Sequence, residues 1–181
     1  MARLIGIGGS LRAGSYNSGL LRAAAELMPE GSTLEVHSIR SVPLYDADEE
    51  AAIGVPDSVA VLKEALAGAD GLLLATPEYN NSLPGVLKNA IDWMSRPPAD
   101  SARVFAGKAA ALVGASPGGF GTILAQEAWL PVLRTLGTRP WFGRKHYVSH
   151  AGKLFDGDGN LVDEAARKAL AEYLAAFVSA I

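Results

Sequence analysis

Residues 3–17 read Arg3-Leu4-Ile5-Gly6-Ile7-Gly8-Gly9-Ser10-Leu11-Arg12-Ala13-Gly14-Ser15-Tyr16-Asn17. The first six positions, Arg3–Gly8, are apolar enough to form a strand buried on both faces. A turn rich in glycine and serine follows. Asn17–Met28 then places Leu20, Leu21, Ala24, Ala25 and Met28 on one helical face. A buried strand that feeds a helix through a tight loop is the start of a parallel β-α-β unit.

The same rhythm repeats along the chain. Pro29-Glu30-Gly31 stops the first helix, and Leu34–Ile39 alternates like a half-exposed strand. Ser41–Val55 is acidic and reads as irregular. Asp57 is placed to cap a helix running to Ala67, with Val59, Leu62 and Leu66 in phase. Gly71–Thr76 is a wholly apolar strand, and Pro84–Met94 is a helix with proline in its first turn. Ala109–Ala115 is a fourth strand, followed by a Thr122–Leu136 helix that Pro131 is expected to kink. Arg139–Phe142 is a weak fifth strand, and Asp163–Ile181 is an amphipathic helix. Apolar strands joined through helices build a parallel sheet covered on both faces. The expected fold is therefore α/β. It is a flavodoxin-like doubly wound sandwich with a five-stranded parallel sheet in the order 2-1-3-4-5, as one domain over residues 1–181.

Composition narrows the chemistry. The 181 residues are 49% hydrophobic, enough for a sizeable core, and the net charge of −3 excludes a domain-wide grip on nucleic acid. The absence of cysteine removes disulfides, thiolate metal sites and thiol redox chemistry. The sequence has no signal-peptide pattern and no apolar run near the roughly 20 residues that span a bilayer, so a cytoplasmic protein is expected.

Ligands of open parallel sheets sit beyond the carboxyl ends of the strands. Three loops there stand out. Gly8–Asn17 leads into a helix N-terminus, whose free N–H groups attract anions. Ser10, Ser15 and Asn17 add neutral donors, and Arg12 adds a charge. The loop suits a phosphate, and it equally suits a plain helix start capped by Ser15 or Asn17 with Arg12 in solvent. It lacks the lysine of a P-loop and the third glycine of G-x-G-x-x-G, where Leu11 stands. The second loop, Thr76–Gly85, is stiffened by Pro77 and Pro84 and carries Glu78, Tyr79 and Asn80. It reads as one bracket of a flat heterocycle or as a simple turn before a helix. The third, Gly114–Thr122, holds Ser116, Pro117, Gly118 and Gly119. By itself it reads as a flexible connection. Convergence of the three loops at one sheet edge points to a phosphorylated, planar ligand.

These motifs resemble those of the NADPH-dependent FMN reductases. Gly9-Ser10-Leu11-Arg12 with Ser15 and Asn17 is similar to that family's phosphate loop. The run from Pro77-Glu78-Tyr79-Asn80 through Pro84-Gly85 to Leu87-Lys88-Asn89-Ala90-Ile91-Asp92-Trp93 is similar to its second signature, and Ser116-Pro117-Gly118-Gly119 to its third loop. The resemblance covers about Arg3 to Leu136 and implies one FMN per chain, with NADPH or NADH as co-substrate and a small-molecule acceptor such as a quinone. By resemblance, Ser10, Arg12, Ser15, Tyr16 and Asn17 hold the phosphate. Pro77, Glu78, Tyr79 and Asn80 flank the isoalloxazine largely through backbone atoms, and Ser116, Pro117, Gly118 and Gly119 line its other side. A homodimer or homotetramer is implied, with the Pro84–Met94 helix against a partner. Leu124, two residues before Gln126, stands where many chromate-reductase relatives carry arginine, which puts their tetramer network in doubt here. Pro131–Lys153 does not match closely and is expected to shape the substrate side.

The same residues also bear on other readings. Gly114-Ala115-Ser116-Pro117-Gly118 matches the G-x-S-x-G elbow of hydrolases, but Pro117 has no N–H to give an oxyanion hole. A flavodoxin-type electron carrier and a flavin-binding module without turnover share the expected fold. Asp156–Asn160 looks like a calcium loop but lacks its glycine and glutamate, so it reads as a turn. His37, His146 and His150 lack metal spacing. Arg22, Arg134 and Arg139 read as solvated, and Trp93 and Trp129 as packing.

Overall fold

The computed structural model describes residues 1–181. Four strands form the continuous part of the sheet: β1 (Arg3–Gly8), β2 (Thr33–His37), β3 (Gly71–Ala75) and β4 (Ala109–Ala115). Two short strands follow, β5 (Arg139–Pro140) and β6 (Tyr147–Val148). The order is β2-β1-β3-β4-β5, all parallel, with β6 also paired to β4. The expected doubly wound order is thus observed. The fifth position is shared by two dipeptides, not filled by one strand to Phe142. Proline at position 140 and the bulky Trp141-Phe142 pair do not sustain a ladder.

Alternate residues of the central strands face opposite layers, as the twofold period of a strand requires. Leu4 and Leu73 join α1 (Tyr16–Glu26) and α7 (Glu164–Val178) on one side. Ile5, Ile7, Leu72 and Leu74 join α3 (Asp57–Ala67), α4 (Gly85–Met94) and α6 (Ile123–Thr135) on the other. Every residue of β3 is buried, whereas β2 buries only Leu34, which explains why β3 is a pure apolar run and β2 alternates.

Several boundaries differ from the sequence reading, for local reasons. Ala47–Ile53 is a helix, α2, inside the stretch expected to be irregular. It buries nothing, so it carries no apolar period. Asp46 caps it by accepting from the Asp48 N–H at 2.8 Å, and Asp48, Glu49 and Glu50 complement its dipole. Pro98–Phe105 forms α5, which buries Val104 and Phe105. The cap position of α3 is Pro56, and Asp57 is already inside the helix without capping it. Pro84 likewise stands at the cap of α4 rather than in its first turn. The helix α6 continues through Pro131. No helix is long and apolar enough to cross a membrane.

Candidate functional site

The loops after β1, β3 and β4 meet at the carboxyl edge of the sheet around a cleft of about 460 Å3. Its walls include Ser10, Arg12, Ser15, Tyr16 and Asn17 from the first loop, Pro77, Glu78 and Tyr79 from the second, and Ser116 and Pro117 from the third. Ala115 also lines it, a residue the sequence reading passed over. Asn80, Gly118 and Gly119 belong to the same loops but do not form its walls.

Each first-loop residue has a distinct place. Ser15 caps α1, its Oγ accepting from the Ser18 N–H at 3.3 Å, so the serine hydroxyl hydrogen remains free for a ligand. Asn17 is buried and spends its amide on the protein. Nδ2 donates to the Ala115 carbonyl and Oδ1 accepts from the Ala115 N–H, both at 2.9 Å. Nδ2 carries a second hydrogen that no protein acceptor takes. The side chain ties the first loop to the end of β4. Arg12 lies 5.8 Å over the Tyr16 ring and donates to the Gly14 carbonyl at 3.4 Å, with no carboxylate neutralising it. The Arg40 guanidinium braces the loop from β2's side by donating to the Leu11 carbonyl. Tyr16 itself packs on Phe155 at 4.9 Å.

Close approach of the loops depends on two glycines. A Cβ at Gly9 would lie 2.7 Å from Pro84 Cγ and 2.8 Å from Pro77 Cδ. One at Gly114 would lie 1.8 Å from Thr122 Oγ1. Such distances exclude any side chain without movement of the neighbouring loop.

The second loop is held by backbone geometry. Tyr79 and Ser82 exchange two hydrogen bonds of 3.1 Å, and Asn80 and Asn81 take the left-handed conformation at φ 51° and 59°. Asparagine tolerates that region better than most residues. Glu78 points away from the loop it belongs to. Its Oε2 accepts from the Leu124 and Ala125 N–H groups, at 2.9 and 3.0 Å, and so caps α6. No sequence signal marks this contact, because its partners lie 46 and 47 residues away from Glu78. Behind the loop, the buried Thr76 hydroxyl donates to the Pro77 carbonyl and accepts from Trp129 Nε1, so Trp129 is more than packing.

The third loop rests on the segment after β6. The Ser116 N–H donates to the Val148 carbonyl, the Ala151 N–H to the Ser116 carbonyl and the His150 N–H to the Gly118 carbonyl, all at 3.0 Å. Gln126 adds a link from α6, donating to the Thr122 hydroxyl and to the His146 carbonyl. Burial pushes the His146 imidazole down to about 4, so it is neutral near pH 7. Arg22 is exposed, as expected, and also donates to Asn160 Oδ1 at 2.8 Å and to the Gly159 carbonyl at 3.0 Å. It fastens α1 to the 156–160 turn, whose Asp156 accepts from the Asp158 and Asn160 N–H groups.

A doubly wound sheet with an anion-ready helix start and two rigid loops over one cleft defines a flavodoxin-like protein that binds a phosphorylated planar cofactor. Comparison with known proteins narrows the class. Residues 2–152 match the model of the NADPH-dependent FMN reductase family, and the chain belongs to that family. It is 45% identical over 174 residues to an NAD(P)H-dependent FMN reductase of Pseudomonas aeruginosa, covering 96% of this chain and 92% of that one. It is 40% identical over 166 residues to a 2-hydroxy-1,4-benzoquinone reductase of a Burkholderia species, covering 92% and 88%. Among solved structures it is similar to FerB, a flavoenzyme NAD(P)H:(acceptor) oxidoreductase of Paracoccus denitrificans. There the TM-score is 0.86 with 34% identity, over 99% of this chain and 96% of that one.

Proposed function

We propose that this chain is an FMN-dependent NAD(P)H oxidoreductase that passes electrons to quinones or similar small acceptors. The observation that carries the reading is the union, in one cleft, of the α1 N-terminus with the uncompensated Arg12 and of a ring-side loop made rigid by its backbone. The donor set fits FMN. Its phosphate suits the free hydroxyls of Ser10 and Ser15, the N–H groups at the start of α1 and the Arg12 guanidinium. Tyr16 closes that end as an aromatic wall. Asn17 serves through its backbone while its side chain holds the loop in place. The narrow approach at Gly9 leaves Pro77–Asn80 free to offer main-chain donors and acceptors to the ring, with Ser116–Gly119 on its far side.

When bound, FMN supplies the hydride-accepting and electron-donating chemistry. The residues then have positional tasks. Glu78 fixes the distance between the second loop and α6. Arg12 offsets the phosphate charge, and the two proline-stiffened loops keep water from one face of the ring. No side-chain nucleophile is required. The chain would act as one FMN-binding domain, in the cytoplasm, as a homodimer or homotetramer. Exposed Tyr79, Val86 and Phe120 around the cleft and α4 support a partner surface there.

The deciding experiment is steady-state oxidation of NADH and NADPH by purified, flavin-loaded protein across a panel of quinones, with the bound flavin identified by mass. FMN-dependent turnover is the expected result. Retained FMN with no nicotinamide oxidation would make the chain an electron carrier or a flavin-binding module instead.

A further inference from the structure

The peptide between Pro77 and Glu78 is gripped from the interior. Thr76 and Trp129 are fully buried. Trp129 Nε1 can only donate, so at 3.0 Å it takes a lone pair of the Thr76 hydroxyl. The hydroxyl hydrogen is then left for the Pro77 carbonyl, 2.9 Å away. No other protein group donates to that carbonyl.

This grip fixes the other side of the same peptide. In a planar trans peptide the carbonyl and the following N–H point in opposite directions. The Pro77–Glu78 bond is trans. With the Pro77 carbonyl turned inward to Thr76, the Glu78 N–H is turned outward. It has no partner in the protein, whereas the next N–H, of Tyr79, is spent on the Ser82 carbonyl. Pro77, Glu78 and Tyr79 all line the cleft at the strand ends. A free backbone donor therefore stands on the cleft wall, and the carboxylate of the same residue is held away on α6.

We propose that Thr76 and Trp129 are positioning residues for the flavin: they hold the Glu78 N–H as a donor to the polar edge of the ring and so raise the flavin's potential. The inference rests on the FMN reading above. A hydrogen-bond donor meets the reduced, electron-rich ring more strongly than the oxidised one, because such bonds strengthen with charge on the acceptor. Holding the donor in place therefore favours reduction. Each buried residue has its own part. Thr76 binds the carbonyl, and the Trp129 indole stops the hydroxyl from rotating its hydrogen elsewhere.

The test measures the affinity for oxidised FMN and the midpoint potential of the bound flavin in the parent, Thr76→Val, Thr76→Ser and Trp129→Phe. In Thr76→Val, oxidised FMN is expected to bind about threefold weaker and reduced FMN about thirtyfold weaker. The tenfold difference corresponds to a potential about 30 mV more negative for a two-electron couple. Thr76→Ser keeps the parent values, and Trp129→Phe moves the potential in the same direction by less. A loss of packing alone weakens both redox forms equally and leaves the potential unmoved, and that result overturns the assignment. So does a Thr76→Ser variant that behaves like Thr76→Val. Should Thr76→Val fail to fold, the sign of the shift in Trp129→Phe decides. A parent chain that binds no FMN sinks the FMN reading and this inference with it. FMN bound at the parent's potential in every variant sinks this inference alone.

Discussion

The first and second loops face each other across one cleft, yet they are built by opposite means. The first is a side-chain device. Ser15 caps, Asn17 anchors, and Arg12 waits uncompensated beside Tyr16. The second is a backbone device. Left-handed Asn80 and Asn81, a two-bond bridge from Tyr79 to Ser82 and two prolines set its path. Its most polar side chain, Glu78, turns away to cap α6. The contrast matches two kinds of ligand chemistry. A phosphate is met by charge and free donors, which side chains adjust easily. A flat ring demands fixed main-chain groups at fixed distances, which only a stiff loop gives.

Three substitutions break or sharpen this contrast. The largest effect is expected from Asn17→Ala. It leaves the buried N–H and carbonyl of Ala115 unpaired, at a cost of about 3 kcal/mol in urea unfolding of the flavin-free chain. A shift below about 1 kcal/mol would mean that the first loop is not anchored by that amide. Next comes Arg12→Ala. Removing a charge-assisted phosphate contact should weaken FMN binding by roughly 1.5–3 kcal/mol, while flavin-free stability stays unchanged. Equal FMN retention in equilibrium dialysis would remove Arg12 from the phosphate site. The smallest is Glu78→Ala, which deletes a helix cap worth about 1 kcal/mol in thermal unfolding. Glu78→Gln, whose amide oxygen still accepts, should recover part of that loss. If both variants match the parent in stability, the second loop owes its position to its own backbone alone.

The legibility of these features varied with how locally each was encoded. The β1 strand was readable to the residue, and so was β4, because both are unbroken apolar runs. α2 and α5 were not. One buries nothing and the other buries two residues, so neither leaves a hydrophobic period to read. The residues of the first loop were recognisable as a set that lines one cleft, but their division of labour was not. Asn17 reads as a phosphate donor or a cap, and its amide also tethers the loop to a strand 98 positions away. Glu78 reads as flanking the ring largely through backbone atoms, and its side chain also caps another element.

The sequence by itself determined the alternation of buried strands and amphipathic helices, the strand order that follows from it, and the loops that meet at one edge. These depend on periodicity and turn chemistry, which act over a few residues. Only the tertiary structure decided which side chains are spent on the protein and which remain for a ligand. It also decided that the fifth strand divides in two. Such outcomes depend on partners far apart in the chain, where hydrogen-bond satisfaction and packing, not local pattern, select the arrangement.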